Sequence, residues 1–482
     1  MASLPAPFVT RRTVFQRIAT LLAVAIPLSA SAQDPGATSP DATSPQVQTA
    51  PQVQTAYEVQ TAVPQPMPAA PSVYVSPFDG DIWSRPYLLG SAGGTRDELA
   101  ANGIAVNVYS TQFYQGVASG GVKQEFDYSG RMDYLVNVDG QKAGLWQGFF
   151  VTLHGETRYG DALGFNTGAI MPSNTAELFP SPTGTVTALT AVKFTQALSE
   201  DFITFAGKIN MLDELKQPYA AGRGVDSFMN LGLTLPVVAA RTVPYSTLGA
   251  GFAILHEMQP IFSMMVLDTH NTPTTSGFES FFTNGATILA RLEAPVTILN
   301  RPGHQAIWGT YSSGTYSDLS VTPYFDPELG LRFLSGKDQG SWSLVYSADQ
   351  ALYVDPHNPN RSWGLFTNLG LADDGPSPIR WSANAGVGGS SPIQTRPLDT
   401  FGIGYSYVNY STPIQQMAPV LLPIGNDHCV ELFYNYAVTP WFRLTPDLQI
   451  LVPARERTLP LPPGPEAIGT TLVFGMRAKI EF

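Results

Sequence analysis

TTLVFGMRAKIEF, residues 470–482, decides the fold. From Leu472 onward the even positions are Leu472, Phe474, Met476, Ala478, Ile480 and Phe482, and the odd ones are Val473, Gly475, Arg477, Lys479 and Glu481. A β-strand points successive side chains to opposite faces, so one face here is wholly apolar and the other carries three charges. The same alternation recurs along the chain. Met132, Tyr134, Val136 and Val138 oppose Arg131, Asp133, Asn137 and Asp139; Val151 and Leu153 oppose Thr152, His154, Glu156 and Arg158. Ile288, Ala290 and Leu292 oppose Arg291 and Glu293, and Val430, Leu432, Tyr434 and Tyr436 oppose Glu431 and Asn435. Phe442, Leu444, Leu448, Ile450 and Val452 oppose Arg443, Asp447 and Gln449.

Alternation alone also suits a soluble sandwich with one wet face. The beginning of the chain bears on that choice. Arg11, Arg12 and Arg17 precede the apolar run Ile18 to Leu28, and Ala30-Ser31-Ala32 offers a cleavage site, so residues 1–32 read as a secretory signal peptide. No other apolar run approaches the ~20 residues of a transmembrane helix. An exported chain that enters a membrane without helices must close its strands into a barrel, because every backbone polar group needs a partner there. Strands of about ten residues, polar faces with charges of both signs, and Tyr159, Trp342, Trp381 and Trp441 near strand ends fit that barrel.

Composition agrees. Charged residues make up 13% of the 482, aromatics 11%, and there are 44 glycines and 41 prolines, a mixture of strands and turns. A net charge of -12 argues against nucleic acid as a partner, and the single Cys429 excludes a disulfide framework or a multi-cysteine metal site. Residues 33–76 are separate in character. PQVQTA at 45–50 repeats at 51–56 and returns as YEVQTA at 57–62, followed by proline-rich sequence. Such a stretch buries no core and reads as a disordered, extended spacer, with the cell wall as a candidate contact. Residues 77–482 then form an all-β transmembrane antiparallel barrel. At one strand per ~25 residues it holds about sixteen strands, a pore-forming size.

The opening GGTRDELAANGI (93–104), with a short helix over TRDELAAN closed by Gly103, resembles the start of the carbohydrate-selective porins of the OprB-like family. GLWQGFFVTLHGETRYG, SWGLFTNLGLADDGPSP, RPLDTFGIGYSY and TPWFRLTPDLQILVP followed by GMRAKIEF are similar to further blocks of that family, in the same order. The resemblance implies passive uptake of small carbohydrates across the outer membrane of a Gram-negative-type bacterium. It also implies that Phe482 is the C-terminal aromatic shown to the barrel-assembly machinery, with outer-membrane lipid around the wall.

A selective constriction needs donors and acceptors to replace the water of a sugar, and opposed Arg and carboxylate groups supply both. The segments carrying Arg131 and Asp133, and His154, Glu156 and Arg158, are separated by one turn and read as hairpin partners. Residues two apart share a face about 6.8 Å along a strand, so these five form a mixed-charge patch inside the barrel and the candidate constriction. Arg158→Ala is then expected to loosen selection. Lys208, Arg291, Glu293 and Arg332 have the phase of further pore-lining residues, and Arg477 and Lys479 of wall charges near the end of the barrel. The long connection around 162–190 is a candidate to fold into the pore. No catalytic residue, metal or cofactor is expected: HEMQP at His256 lacks the second histidine of a zinc motif, and no G-x-S-x-G elbow occurs. The competing readings are a general diffusion porin without sugar preference and a structural or adhesive barrel.

Overall fold

The computed structural model describes residues 76–215, 217–220, 222–326, 330–416, 423–458 and 466–482, with the side chains of Phe165 and 321–335 outside the description. The expected signal peptide and all of the spacer but Ser76 lie outside the described residues, as does the side chain of Arg332. Sixteen antiparallel strands among the described residues close into one barrel. They begin with β1 (Ile104–Ser119), β2 (Phe126–Asp139), β3 (Phe149–Gly160), β4 (Val186–Ala197), β5 (Phe202–Asn210), β6 (Ser246–His256), β7 (Gln259–Asp268) and β8 (Ala286–Ile298). The circuit continues through β9 (Arg301–Asp326), β10 (Gly330–Asp355), β11 (Asn358–Ala372), β12 (Ile379–Ser390), β13 (Thr400–Tyr410), β14 (Asp427–Thr439), β15 (Phe442–Val452) and β16 (Thr471–Glu481). Each strand pairs with its neighbours in sequence, and β16 pairs with β1 from Tyr109↔Glu481 onward. No edge remains open, as the expected barrel requires.

β16 shows why the opening stretch is decisive. Val473, Arg477 and Lys479 are buried toward the interior, while Phe474 and Met476 are 44% and 38% exposed on the outer wall. Tyr114, Tyr128, Tyr311, Trp342 and Trp381 stand exposed toward one end of that wall, and Trp146 and Tyr436 toward the other, as interfacial girdles do. One end of the barrel is joined by tight turns. Glu257-Met258 and Leu299-Asn300 take positive φ at both positions, the twist that two-residue hairpin turns need. The long connections all lie at the other end, the arrangement in which the short turns face the periplasm.

The strands β9 and β10 pair with each other well past the rim. β8 stops pairing at Thr287↔Ser312 and β11 at Ser343↔Ala372, so the hairpin between stands clear of its neighbours. At the turn end, residues 76–103 lie against the outer wall. The short helix expected over TRDELAAN is α1 (Thr95–Ala101), and its Leu99 packs with Val106, Val108 and Met132, outward residues of β1 and β2. Arg96 donates to the Val106 carbonyl (3.0 Å) and the Phe482 carbonyl (2.5 Å), bridging the seam of first and last strands. Phe482 keeps its outward phase but packs under this segment.

Two connections fold into the barrel: 161–185 between β3 and β4, and 211–245 between β5 and β6. They bind each other through Thr175 N–H to the Met229 carbonyl (2.7 Å) and Leu231 N–H to the Pro172 carbonyl (3.0 Å). Val237 and Val238 pack with Ile209, Leu267, Leu289, Trp308 and Val345, and Phe228 and Leu233 with Phe366 and Phe433. The largest apolar core is therefore inside the barrel. Glycines make the space: a Cβ on Gly404 would lie 2.7 Å from the Leu233 side chain, and one on Gly388 would strike the Tyr219 carbonyl.

Candidate functional site

Register sets the charges of the interior in order. Arg443 pairs with Lys479, Lys479 with Thr111, Thr111 with Arg131 and Arg131 with Arg158, so one rung across β15, β16, β1, β2 and β3 carries four cations. The adjoining rung runs Glu481, Tyr109, Asp133 and Glu156, and carries three acids. Like charges directly opposite one another on a sheet repel. The repulsion is relieved along the strands: Arg131 forks onto Asp133 and also reaches Glu156, and Arg443 Nη1 lies 2.7 Å from Glu481.

The inserted segment supplies the remaining partners. His154 places Nε2 3.1 Å from Asp133 and Nδ1 2.7 Å from Asp213, and Arg223 donates to Asp213 at 2.9 Å. Tyr245 donates to Glu156, and Asp226 binds Lys479. Burial pushes the Asp213 carboxyl up, but the neighbouring His154 and Arg223 outweigh it and hold the group below its usual range. Asp226 is held low in the same way by Lys479 against the cost of burial. Further round the same side, on β14 and β15, Glu431 accepts from the Met229 and Asn230 amides (2.5 and 2.9 Å), and Gln449 donates to the Ser173 carbonyl (2.8 Å). Arg477 donates to the carbonyls of Gly224 and Ser227, both at 2.8 Å.

These contacts correct the expected constriction. Arg131, Asp133, His154, Glu156 and Arg158 do face inward and come together, but each is at most 1% exposed beneath the inserted connections. A permeating solute does not meet them; they anchor the insert. Asp133, His154 and Glu156 could offer three ligand atoms within 4.8 Å of one another, yet Arg131 already binds both carboxylates and Arg223 lies on the imidazole. That donor set suits ion pairing rather than a metal. Lys208 is a second correction. It pairs with Val192 on the outward phase of β5, opposite to inward Ile209, and donates to the carbonyls of Leu189, Pro273 and Thr275. It fastens the connection 269–285 and lines no pore.

Arg291 and Glu293 keep contact with solvent inside the barrel, and Arg291 borders a cavity. This small cavity of about 20 Å³ lies between the insert and the far wall, lined by Leu215, Gln217, Thr234, Pro236, Arg291, Trp308, Ser347 and Asn368. Arg291 Nε donates to Glu293 at 2.8 Å, and both side chains are 25% exposed. Trp308 donates its indole N–H toward Ser347 Oγ (3.4 Å), and Asn368 donates to Gln217 (3.0 Å). Further along β9 and β10, His304 Nδ1 is 3.0 Å from Asp349. Lys193 on β4 pairs with Glu214 of the insert. Each of these solvent-reached charges thus has a partner of opposite sign.

The sequence reading missed Lys193, Glu214, Gln217, His304, Trp308, Ser347, Asp349 and Asn368. Alternation puts Trp308 in phase with Thr310 two residues away and His304 four residues away, polar neighbours that were the available signal that it turns inward. Nothing local marks Gln217 or Glu214, which lie in a connection.

The description of carbohydrate-selective porins, OprB family, fits residues 123–482 of this chain. Porin B of Pseudomonas aeruginosa is 24% identical over 213 residues, which cover 39% of this chain and 45% of that protein. The chain thus matches less than half the length of that relative. The high-pH structure of OprB from Pseudomonas putida superposes with a TM-score of 0.69 at 18% identity, covering 84% of this chain and all of that one. The low-pH structure of the same protein gives 0.50 at 16% identity over 83% of this chain and 99% of that one. Such identities speak to the fold, which is the same closed barrel. The family match over residues 123–482, on a closed sixteen-strand barrel, makes this chain a member of the carbohydrate-selective porins of the OprB family.

Proposed function

We propose that this protein lets small neutral sugars diffuse down their gradient through an outer membrane, with no chemistry on the solute and no energy source. One observation supports the reading: solvent-reached charges of the inner wall come in opposite-sign pairs, Arg291 with Glu293, His304 with Asp349 and Lys193 with Glu214, and Trp308 borders a cavity beside Arg291. Such a lining offers many donors and acceptors without a net field, and an aromatic face for the weakly apolar ring of a sugar. Polyols are favoured over ions of similar size, while each contact is weak enough for release. The apolar outer wall takes outer-membrane lipid. Export through residues 1–32, a cell-wall contact through the spacer and presentation of Phe482 to the assembly machinery belong to the same proposal.

Liposome swelling tests it. Pentoses and hexoses are expected to enter several-fold faster than zwitterionic amino acids of matched size. Equal rates would leave a general diffusion pore, and no conductance in planar bilayers would leave a structural barrel.

A further inference from the structure

Three of the four cations on the basic rung have a carboxylate: Arg443 has Glu481, Lys479 has Asp226, and Arg131 has Asp133 and Glu156. Arg158 has none among the described residues. Its hydrogen bond there is from Nη1 to the Gly184 carbonyl at 2.9 Å, while Nε and Nη2 are buried without a partner. That Nε/Nη2 edge is the one with which a guanidinium grips an anion side-on. Arg131, directly opposite in register, also keeps a buried Nη1 without a partner, and so does the hydroxyl of Thr111 beyond it. All three residues are at most 1% exposed.

Two arginines are paired in register here, both out of reach of bulk water. Buried donors without acceptors are rare in proteins, and a buried cation without a counter-charge is costly. The nearby acid of the connection 161–185, Glu177, is within electrostatic reach of Arg158 but forms no ion pair with it, its carboxylate being turned to Ser129 Oγ (2.6 Å) and the Leu163 amide (3.3 Å). A water accepts at most two hydrogen bonds and leaves the charge uncancelled, whereas a small anion satisfies all these donors and removes the repulsion.

We propose that the free edge of Arg158, with Arg131 Nη1 and the Thr111 hydroxyl, binds a small inorganic anion of the chloride or nitrate class. The site is closed beneath the insert and separate from the sugar passage, so it is structural: the anion fixes the β1–β3 wall on which the insert is anchored. Its occupancy adds to stability in a saturable way.

Thermal unfolding of the purified full-length barrel tests this in sodium chloride, bromide or nitrate against sodium gluconate at equal ionic strength. The wild type is expected to melt several degrees higher in the small anions, saturating with concentration, and Arg158→Met to melt alike in all four. Crystals of the wild type grown in bromide are expected to show an anomalous peak between Arg131 and Arg158, which decides the matter even if the variant fails to fold. Equal melting in chloride and gluconate, or bromide crystals without that peak, overturns the proposal in favour of water.

Discussion

Trp308 borders the cavity and donates its indole N–H toward Ser347. An aromatic contact of this kind contributes about 0.5–1.5 kcal/mol, so Trp308→Ala is expected to weaken sugar block of single-channel current roughly two- to tenfold and to raise conductance. An unchanged block would remove Trp308 from the sugar path. Glu177 makes a different prediction. Burial, only partly offset by Ser129, the Leu163 amide and Arg158, pushes its carboxyl up to about 7. Because the folded value exceeds the unfolded one, its contribution to stability is complete below about pH 4.5 and is lost as pH rises through 7. The cost reaches on the order of 3 kcal/mol at pH 8, so Glu177→Gln should melt higher than wild type at pH 8 and alike at pH 4. A difference independent of pH would contradict this. The phase of each charged residue was readable from alternation, which is why Arg131, Glu156 and Arg291 were all placed inside. What covers a residue is a tertiary property, and so the buried anchor and the open passage looked identical in sequence. Lys208 obeys the phase rule, since Phe205 and Ile209 turn inward and leave it on the outer face; its charge, not its phase, suggested a pore.

Among the elements, the connection 211–245 carries most of the function. Its stretch 228–243 is dense in apolar residues without period-two alternation, unlike a solvated loop, and that density is the signature of a segment buried inside the barrel. The fold was legible because membrane strands must alternate; this segment was not, because a plug obeys no such period. Two variants probe it. Arg223→Ala removes one partner from a largely buried ion network, at a cost of about 3–5 kcal/mol locally, and is expected to raise conductance with flicker as the insert loosens. Gly404→Val should displace Leu233 from the β13 wall and enlarge the pore by the same route. A steady wild-type conductance in both would show that the insert does not set the pore size. The β9–β10 hairpin beyond the rim is independent of the passage, so replacing residues 319–337 by a short turn should leave sugar flux intact.

At the scale of the molecule, opposite charges are paired in the buried rungs, Arg158 excepted, and among the solvent-reached charges of the inner wall. Current under a potassium chloride gradient should therefore reverse near zero, although the chain as a whole is acidic at -12. A strongly cation-selective reversal potential would mean that unpaired acids line the path. The anchoring of the insert has one more consequence, for the order of events during biogenesis. A segment from the middle of the chain is held by His154 on β3, Glu431 on β14 and Lys479 on β16. Those residues become neighbours only when the last strand has met the first. The insert has no complete berth in a half-built sheet, so until closure the channel is a hollow, leaky wall. Seating of the insert is thus a certificate of completed assembly, and the narrow pore appears only in molecules that have passed it.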